Sequence, residues 1–158
     1  MEPRLNLYAD PAVATSLEQF AAASRTLLDA PLLPESLRNL VMLRASQING
    51  CGWCTDIHSK DALHAGEEPV RLALVAAWRE STVFSDAERS ALELTEQGTR
   101  IADDAGGVSD AAWAAAAAHY DEAQLAALVA LIALINAANR MGVVNRMAGG
   151  GYRVGQLG

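Results

Sequence analysis

Two cysteines and a histidine are the residues of this chain best suited to chemistry. Cys51 and Cys54 stand three positions apart, and His58 follows Cys54 by four. On a helix those spacings share one face, so the three side chains form a stripe two turns long. Asn49 and Gly50 just before them form a helix stop, because both residue types tolerate left-handed backbone angles. The stripe therefore opens a new helix at about Cys51. Unpaired amide groups and the helix dipole at such a start stabilise a thiolate. His58 is placed to take the Cys54 proton, directly or through one water, leaving an activated sulfur nucleophile. The second thiol can then attack a sulfenic acid or mixed disulfide formed on the first. This is a dithiol/disulfide cycle that needs no metal and no organic cofactor.

Other readings of the same residues are weaker. Two cysteines can be small buried hydrophobes, but three reactive residue types on one stripe at a helix start go beyond packing. A zinc site would use Cys51, Cys54 and His58, with His64 or an acid as fourth ligand. Zinc sites, however, usually draw on two separated segments, and the sequence has no second Cys or His pair. A c-type haem requires His directly after the second Cys, where Thr55 stands.

The elements around the stripe read as helices, with strand signals nearly absent. Asp10-Pro11 opens a helix to about Leu28. A second runs from Pro34 toward Gln47, with Leu37, Leu40, Val41 and Ile48 on its apolar face. The dithiol helix ends at Gly66, and Pro69 opens a fourth through about Trp78. Ser85 with Glu88 is a capping box for a fifth, reaching about Ala102. Residues 103–107 form a loop, Ser109 caps a sixth helix, and Asp121 with Gln124 opens a seventh ending near Gly142. The alanine run 114–118 belongs to a packed helix, since alanine is the strongest helix former. Residues 4–146 form one compact all-α domain, and 147–158, rich in glycine, are expected to be a flexible tail.

Composition supports a single globular domain: hydrophobic residues are 51% and charged residues 20% of 158, which excludes disorder. The net charge of -7, without any Lys/Arg cluster, argues against nucleic-acid and anionic-membrane binding. The N-terminal residues lead into no apolar stretch of the secretory kind. The longest apolar run, Leu125–Ile135, falls well short of the ~20 residues a bilayer span needs, so it reads as a core helix. A cytoplasmic protein is expected.

The segment Leu40–Lys60, which contains Arg44, Ser46, Gln47, Asn49 and the dithiol, resembles the core of the AhpD-like alkylhydroperoxidases of the carboxymuconolactone decarboxylase superfamily. The likeness continues through Ala76–Glu80, Phe84–Leu92, Thr95, Glu96 and Ile135–Arg140, and covers about residues 4–146. The resemblance implies an all-α domain of trimers or hexamers that reduces hydroperoxides and is regenerated by an external dithiol reductant. It also implies that Cys54 attacks the peroxide, that Cys51 resolves it, and that His58 relays the proton. The founding members carry a glutamate twelve residues before the first cysteine; here that position is Asn39, which cannot accept a proton. Glu96, on another helix, and Glu35, one turn before Asn39, are the candidate replacements. Two other functions stay open: a non-redox decarboxylase or isomerase of the wider superfamily, and a redox sensor whose disulfide forms without turnover.

Of the remaining residues, His64 falls off the stripe and reads as solvent-exposed, and His119 as helix-terminal. Trp53 either tunes access to the dithiol or packs against a subunit, and Trp78 and Trp113 read as core or interface. Arg44 and Gln47 suit a buried polar network or contacts behind the site. Asp56 suits the helix start or open water. The acid-rich stretch Glu80–Glu96 alternates with arginines and reads as a solvated face.

Overall fold

The computed structural model describes residues 2–156. Seven α-helices follow in order: α1 (Pro11–Asp29), α2 (Glu35–Asn49), α3 (Gly52–His64), α4 (Pro69–Leu74), α5 (Asp86–Thr99), α6 (Asp110–Ala117) and α7 (Glu122–Val144), with no strand among the described residues. Most starts are set by local side chains. Asp10, Ser85, Ser109 and Asp121 each accept a first-turn amide, and Ser85–Glu88 and Asp121–Gln124 close reciprocal capping boxes.

α2 is the central element, packed against α3, α5 and α7. One apolar cluster joins Leu37 and Val41 of α2 to Leu94 of α5 and to Leu128, Leu131 and Ile132 of α7. A second, on the other side of α2, gathers Leu40, Leu43, Val75, Trp78, Phe84 and Leu92. α1 differs from the rest: none of its residues is buried, and it leans on α7 across a cavity. α7 is 23 residues long with a mean hydropathy of 1.8 in its most apolar window, enough by length and composition to cross a membrane. Its buried Asn136 and Asn139 are hydrogen-bonded within the bundle, and Leu128 and Leu131 lie in the core.

Two expectations are corrected. The fourth helix does not continue to Trp78; it tightens into a 3₁₀ turn over Val75–Glu80, with Ala77 leaving helical geometry (φ -119°, ψ 30°). The change of pitch accompanies a buried Trp78 whose Nε1 donates to Glu96 Oε1 at 2.9 Å, a tertiary tie that overrides local propensity. The tail after residue 146 is also not free. Arg146 adopts a left-handed φ of 57° and Met147 N–H bonds Gly142 O, which turns the chain back toward α3. There Asp56 Oδ2 accepts from Gly150 N at 2.7 Å and Tyr152 N at 3.0 Å, while the Tyr152 hydroxyl bonds Asp61 and its ring is buried. Residues 157 and 158 lie outside the described part.

Candidate active site

Gly50 ends α2 at φ 67°, ψ 26°, its amide bonding Gln47 O while Cys51 N–H reaches Ser46 O. That turn delivers Cys51 to the N-cap of α3, where its Sγ accepts the Cys54 amide at 3.3 Å. A sulfur in this position receives the N–H that a capping oxygen would otherwise take, so a thiolate there is favoured. Cys54 lies one turn on. The two are joined as a disulfide with Cα atoms 5.3 Å apart, and both are buried. α7 makes room for them with Gly142, where a Cβ would lie 2.7 Å from Cys51 Sγ and 3.6 Å from Cys54 Sγ. Any side chain at 142 would press into the sulfurs. Gly149 and Gly52 likewise let the C-terminal segment cross the start of α3, since a Cβ at 149 would run into Gly52 O.

Cys54 and His58 both line a half-open cavity of about 640 Å³ between α1, α2, α3 and α7 and the two terminal segments. Its walls are mainly apolar, with Phe20, Met42, Leu131 and Ile135 among them, and Trp53 stands at its edge against Tyr152 (ring centroids 6.1 Å apart, edge-on). Desolvation in this wall pushes the His58 pKa down to about 4. At neutral pH the imidazole is uncharged, and in the disulfide form, with no thiolate beside it, it is a weak base. Of the two candidate acids, Glu35 lines the same cavity near its surface.

Glu96 is elsewhere. Its carboxylate accepts from Arg44 Nε at 2.6 Å, from Trp78 Nε1 and from Arg79, and makes no hydrogen bond to His58 or to either cysteine. Burial alone would raise its pKa, but the hydrogen bonds from Arg79, Trp78 and Arg44 outweigh it and hold the group below the usual carboxylate range. Both oxygens are committed to cations, so Glu96 is an ion-pair hub tying α2 and the 3₁₀ turn to α5. This also places Arg44 and Gln47, whose side chains meet at 3.4 Å, in a polar network behind the site. Asp56 holds the C-terminal segment and Lys60, rather than the helix start. Burial raises its pKa, but the Lys60 contact and the two backbone donors prevail and lower it. His64 and His119 are exposed, Trp78 is core, and Trp113 is on the surface.

Sequence reasoning passed over a buried amide ladder beneath the dithiol turn. Asn49 Nδ2 donates to Asn136 Oδ1 and Asn139 Oδ1, both at 2.9 Å, and Asn139 Nδ2 donates to Ser46 Oγ at 3.0 Å. The signal was present: Asn136 and Asn139 are three apart on one face of an otherwise apolar helix, where polar residues survive burial only when paired.

Fold and site together define a helical domain that carries a redox-capable disulfide at the start of a helix. Residues 11–97 match the carboxymuconolactone decarboxylase family. The uncharacterized protein YdfG of Bacillus subtilis (strain 168) is 40% identical over 113 residues, 70% of this chain and 76% of its own length. The chain belongs to the carboxymuconolactone decarboxylase family, with the AhpD-like fold. A solved protein of unknown function from Agrobacterium tumefaciens, named as a candidate antioxidant defence protein AhpD, superposes with a TM-score of 0.84 at 29% identity, covering 96% of this chain and 100% of that one. The debrominase Bmp8 shares the fold at a TM-score of 0.74 and 18% identity, over 89% of this chain and 73% of its own.

Proposed function

We propose that this protein is a cofactor-free thiol peroxidase that reduces organic hydroperoxides. The observation that carries the reading is the Cys51–Cys54 disulfide at the N-cap of α3, with Cys54 and an uncharged His58 opening on the same apolar cavity. In the reduced enzyme His58 accepts the Cys54 proton, and the thiolate that forms beside the imidazole raises its pKa above the value burial alone sets. The thiolate attacks the terminal peroxide oxygen: an S–O bond forms, the O–O bond breaks, and the departing alkoxide takes the proton back as an alcohol. The Cys51 thiol then displaces water from the Cys54 sulfenic acid and closes the disulfide. In sum, two thiols and one hydroperoxide become a disulfide, an alcohol and water. An external dithiol reductant returns the pair to thiols. The working form is a cytoplasmic homotrimer or homohexamer.

The test is peroxide consumption with a series of dithiol reductants. Wild type turns over; Cys54→Ser loses on the order of 10²-fold or more of the rate, as expected for removal of a nucleophile. Cys51→Ser stops after one equivalent, with a sulfenic acid on Cys54. Wild-type protein that forms its disulfide stoichiometrically but never turns over is a sensor, and the peroxidase reading fails.

A further inference from the structure

After α7 the chain turns back and crosses the turn that carries the dithiol. Gly149 lies against the peptide of Gly52, between the two cysteines, so closely that a Cβ on it would fall 2.3 Å from Gly52 O. Tyr152 meets Trp53, the other residue between the cysteines, edge-on. Polar contacts hold the segment there. Asp56 accepts from Gly150 N and Tyr152 N, and Lys60 Nζ donates to Gly150 O at 3.3 Å and to Tyr152 O at 2.9 Å. The Tyr152 hydroxyl bonds Asp61 at 2.8 Å. Both middle residues of the Cys-x-x-Cys turn are thus in contact with residues 149–152.

The hold is light. Tyr152 is the only buried residue between Arg146 and Gln156, and the glycines 149–151 have no side chain to bury. The Lys60–Asp56 pair that clamps them is partly open to solvent and contributes little by itself. Segments with so few buried contacts open well below the free energy of global unfolding. The disulfide beside it is hard to reach: Cys51 is 1% and Cys54 4% exposed, and only Cys54 lines the cavity. Exchange requires a thiolate to meet a disulfide sulfur. A small dithiol can do so through the cavity. A protein cannot, because even a transient redox contact spreads over on the order of 500 Å² of each partner, and residues 149–152 occupy the surface next to the turn. We propose that residues 149–152 are a displaceable strap, lifted when a protein dithiol docks on the Cys51–Cys54 turn and left in place by small dithiols and hydroperoxides. The docking surface then comprises Gly52, Trp53, Asp56, Lys60 and Asp61. The inference rests on the reading that an external dithiol regenerates the pair. The partner's thiolate bonds to Cys54 Sγ, and the Cys51–Cys54 bond breaks with its electron pair on Cys51, whose sulfur the Cys54 amide meets. The partner's second thiol displaces Cys54, the partner leaves as a disulfide, and its two thiol protons end on Cys51 and Cys54.

Reduction of the disulfide is followed without peroxide, with reduced thioredoxin as the protein dithiol and dithiothreitol as the small one. Two variants loosen the strap and leave the docking surface intact. Gly150→Pro removes an amide that Asp56 holds and cannot adopt the φ of 104° found there. Tyr152→Ser removes the one buried anchor. In both, reduction by thioredoxin is expected to quicken about tenfold, the equivalent of about 1.4 kcal/mol, while reduction by dithiothreitol stays within about threefold. Thioredoxin rates that match wild type, the absence of any reduction by thioredoxin, or a parallel rise with both reductants overturns the proposal. A second measurement needs neither variant. Cys51→Ser is joined through Cys54 to thioredoxin that lacks its resolving cysteine, and amide exchange is read by NMR. The Gly150 and Tyr152 amides should exchange about tenfold faster in this conjugate than in unjoined Cys51→Ser. Equal protection in both would mean that the partner docks with the strap seated, and the proposal fails. Strap variants that behave as expected in a protein that never consumes hydroperoxide keep this inference and lose the peroxidase reading. Peroxide turnover with a thioredoxin rate indifferent to the strap does the reverse.

Discussion

At the scale of the residue, His58 makes a claim that pH can check. Its pKa falls from 6.5 to about 4 because the cavity wall desolvates it. Between those values the unfolded chain binds a proton that the folded chain refuses, so acid favours unfolding. The stability from keeping His58 neutral is complete above pH 6.5 and drains away as pH falls toward 4. It amounts to at most about 3 kcal/mol, given 1.36 kcal/mol per pKa unit. The urea midpoint should therefore drop between pH 7 and pH 4.5, and His58→Gln should flatten that slope; an unchanged slope in the variant would show that His58 is not the group responsible. The spacing of Cys51, Cys54 and His58 was legible in the sequence because it is a local, helical relation. Gly142 against the sulfurs was not, since it depends on which distant segment packs alongside.

At the scale of the element, Glu96 is a buried carboxylate whose hydrogen-bond partners all belong to the scaffold. An acid was sought because Asn39 stands where a relay glutamate was expected, and Glu96 does prove to be a buried carboxylate. Its partners are Arg44 of α2 and Trp78 and Arg79 of the 3₁₀ turn, so it fastens three elements and makes no hydrogen bond to the histidine. Glu96→Gln should cost about 2–3 kcal/mol, less than the loss of a fully buried pair because Arg79 is half-exposed. The peroxide rate per folded molecule should stay within about twofold of wild type, because Glu96 bonds neither His58 nor a cysteine. Chemical denaturation beside stopped-flow kinetics separates the two effects; a large rate loss at unchanged stability would restore Glu96 to the relay. The helices themselves could be read beforehand wherever a cap marks a start, as at Asp10, Ser85, Ser109 and Asp121. The break at Val75 had no such mark, being imposed by Trp78 reaching Glu96. Nor did the C-terminal segment, whose glycines read as slack but serve as clearance over α3.

At the scale of the whole molecule, one chain leaves apolar surface without an obvious use. Its solvent-accessible area is 8732 Å², against about 7,600 Å² expected of a folded monomer of this mass. Much of the excess is open helix surface. α1 buries no residue although its apolar side chains recur at helical spacing, and the outer side of α7 presents Ala126, Val129, Ala133 and Ala137 without a partner. Small residues allow another helix to approach closely, and Val129 (47% exposed) gives that face a branched side chain to bury. A symmetric assembly would cover both helices and brace α1 over the cavity that Cys54 shares, linking subunit contact to substrate binding. Light scattering at micromolar concentration should return the mass of three or six chains. Val129→Glu, which sets a charge in the middle of the α7 stripe, should shift that mass toward the monomer. A wild-type monomer at that concentration would sink the assembly, and a Val129→Glu variant of unchanged mass would move the contact to another face.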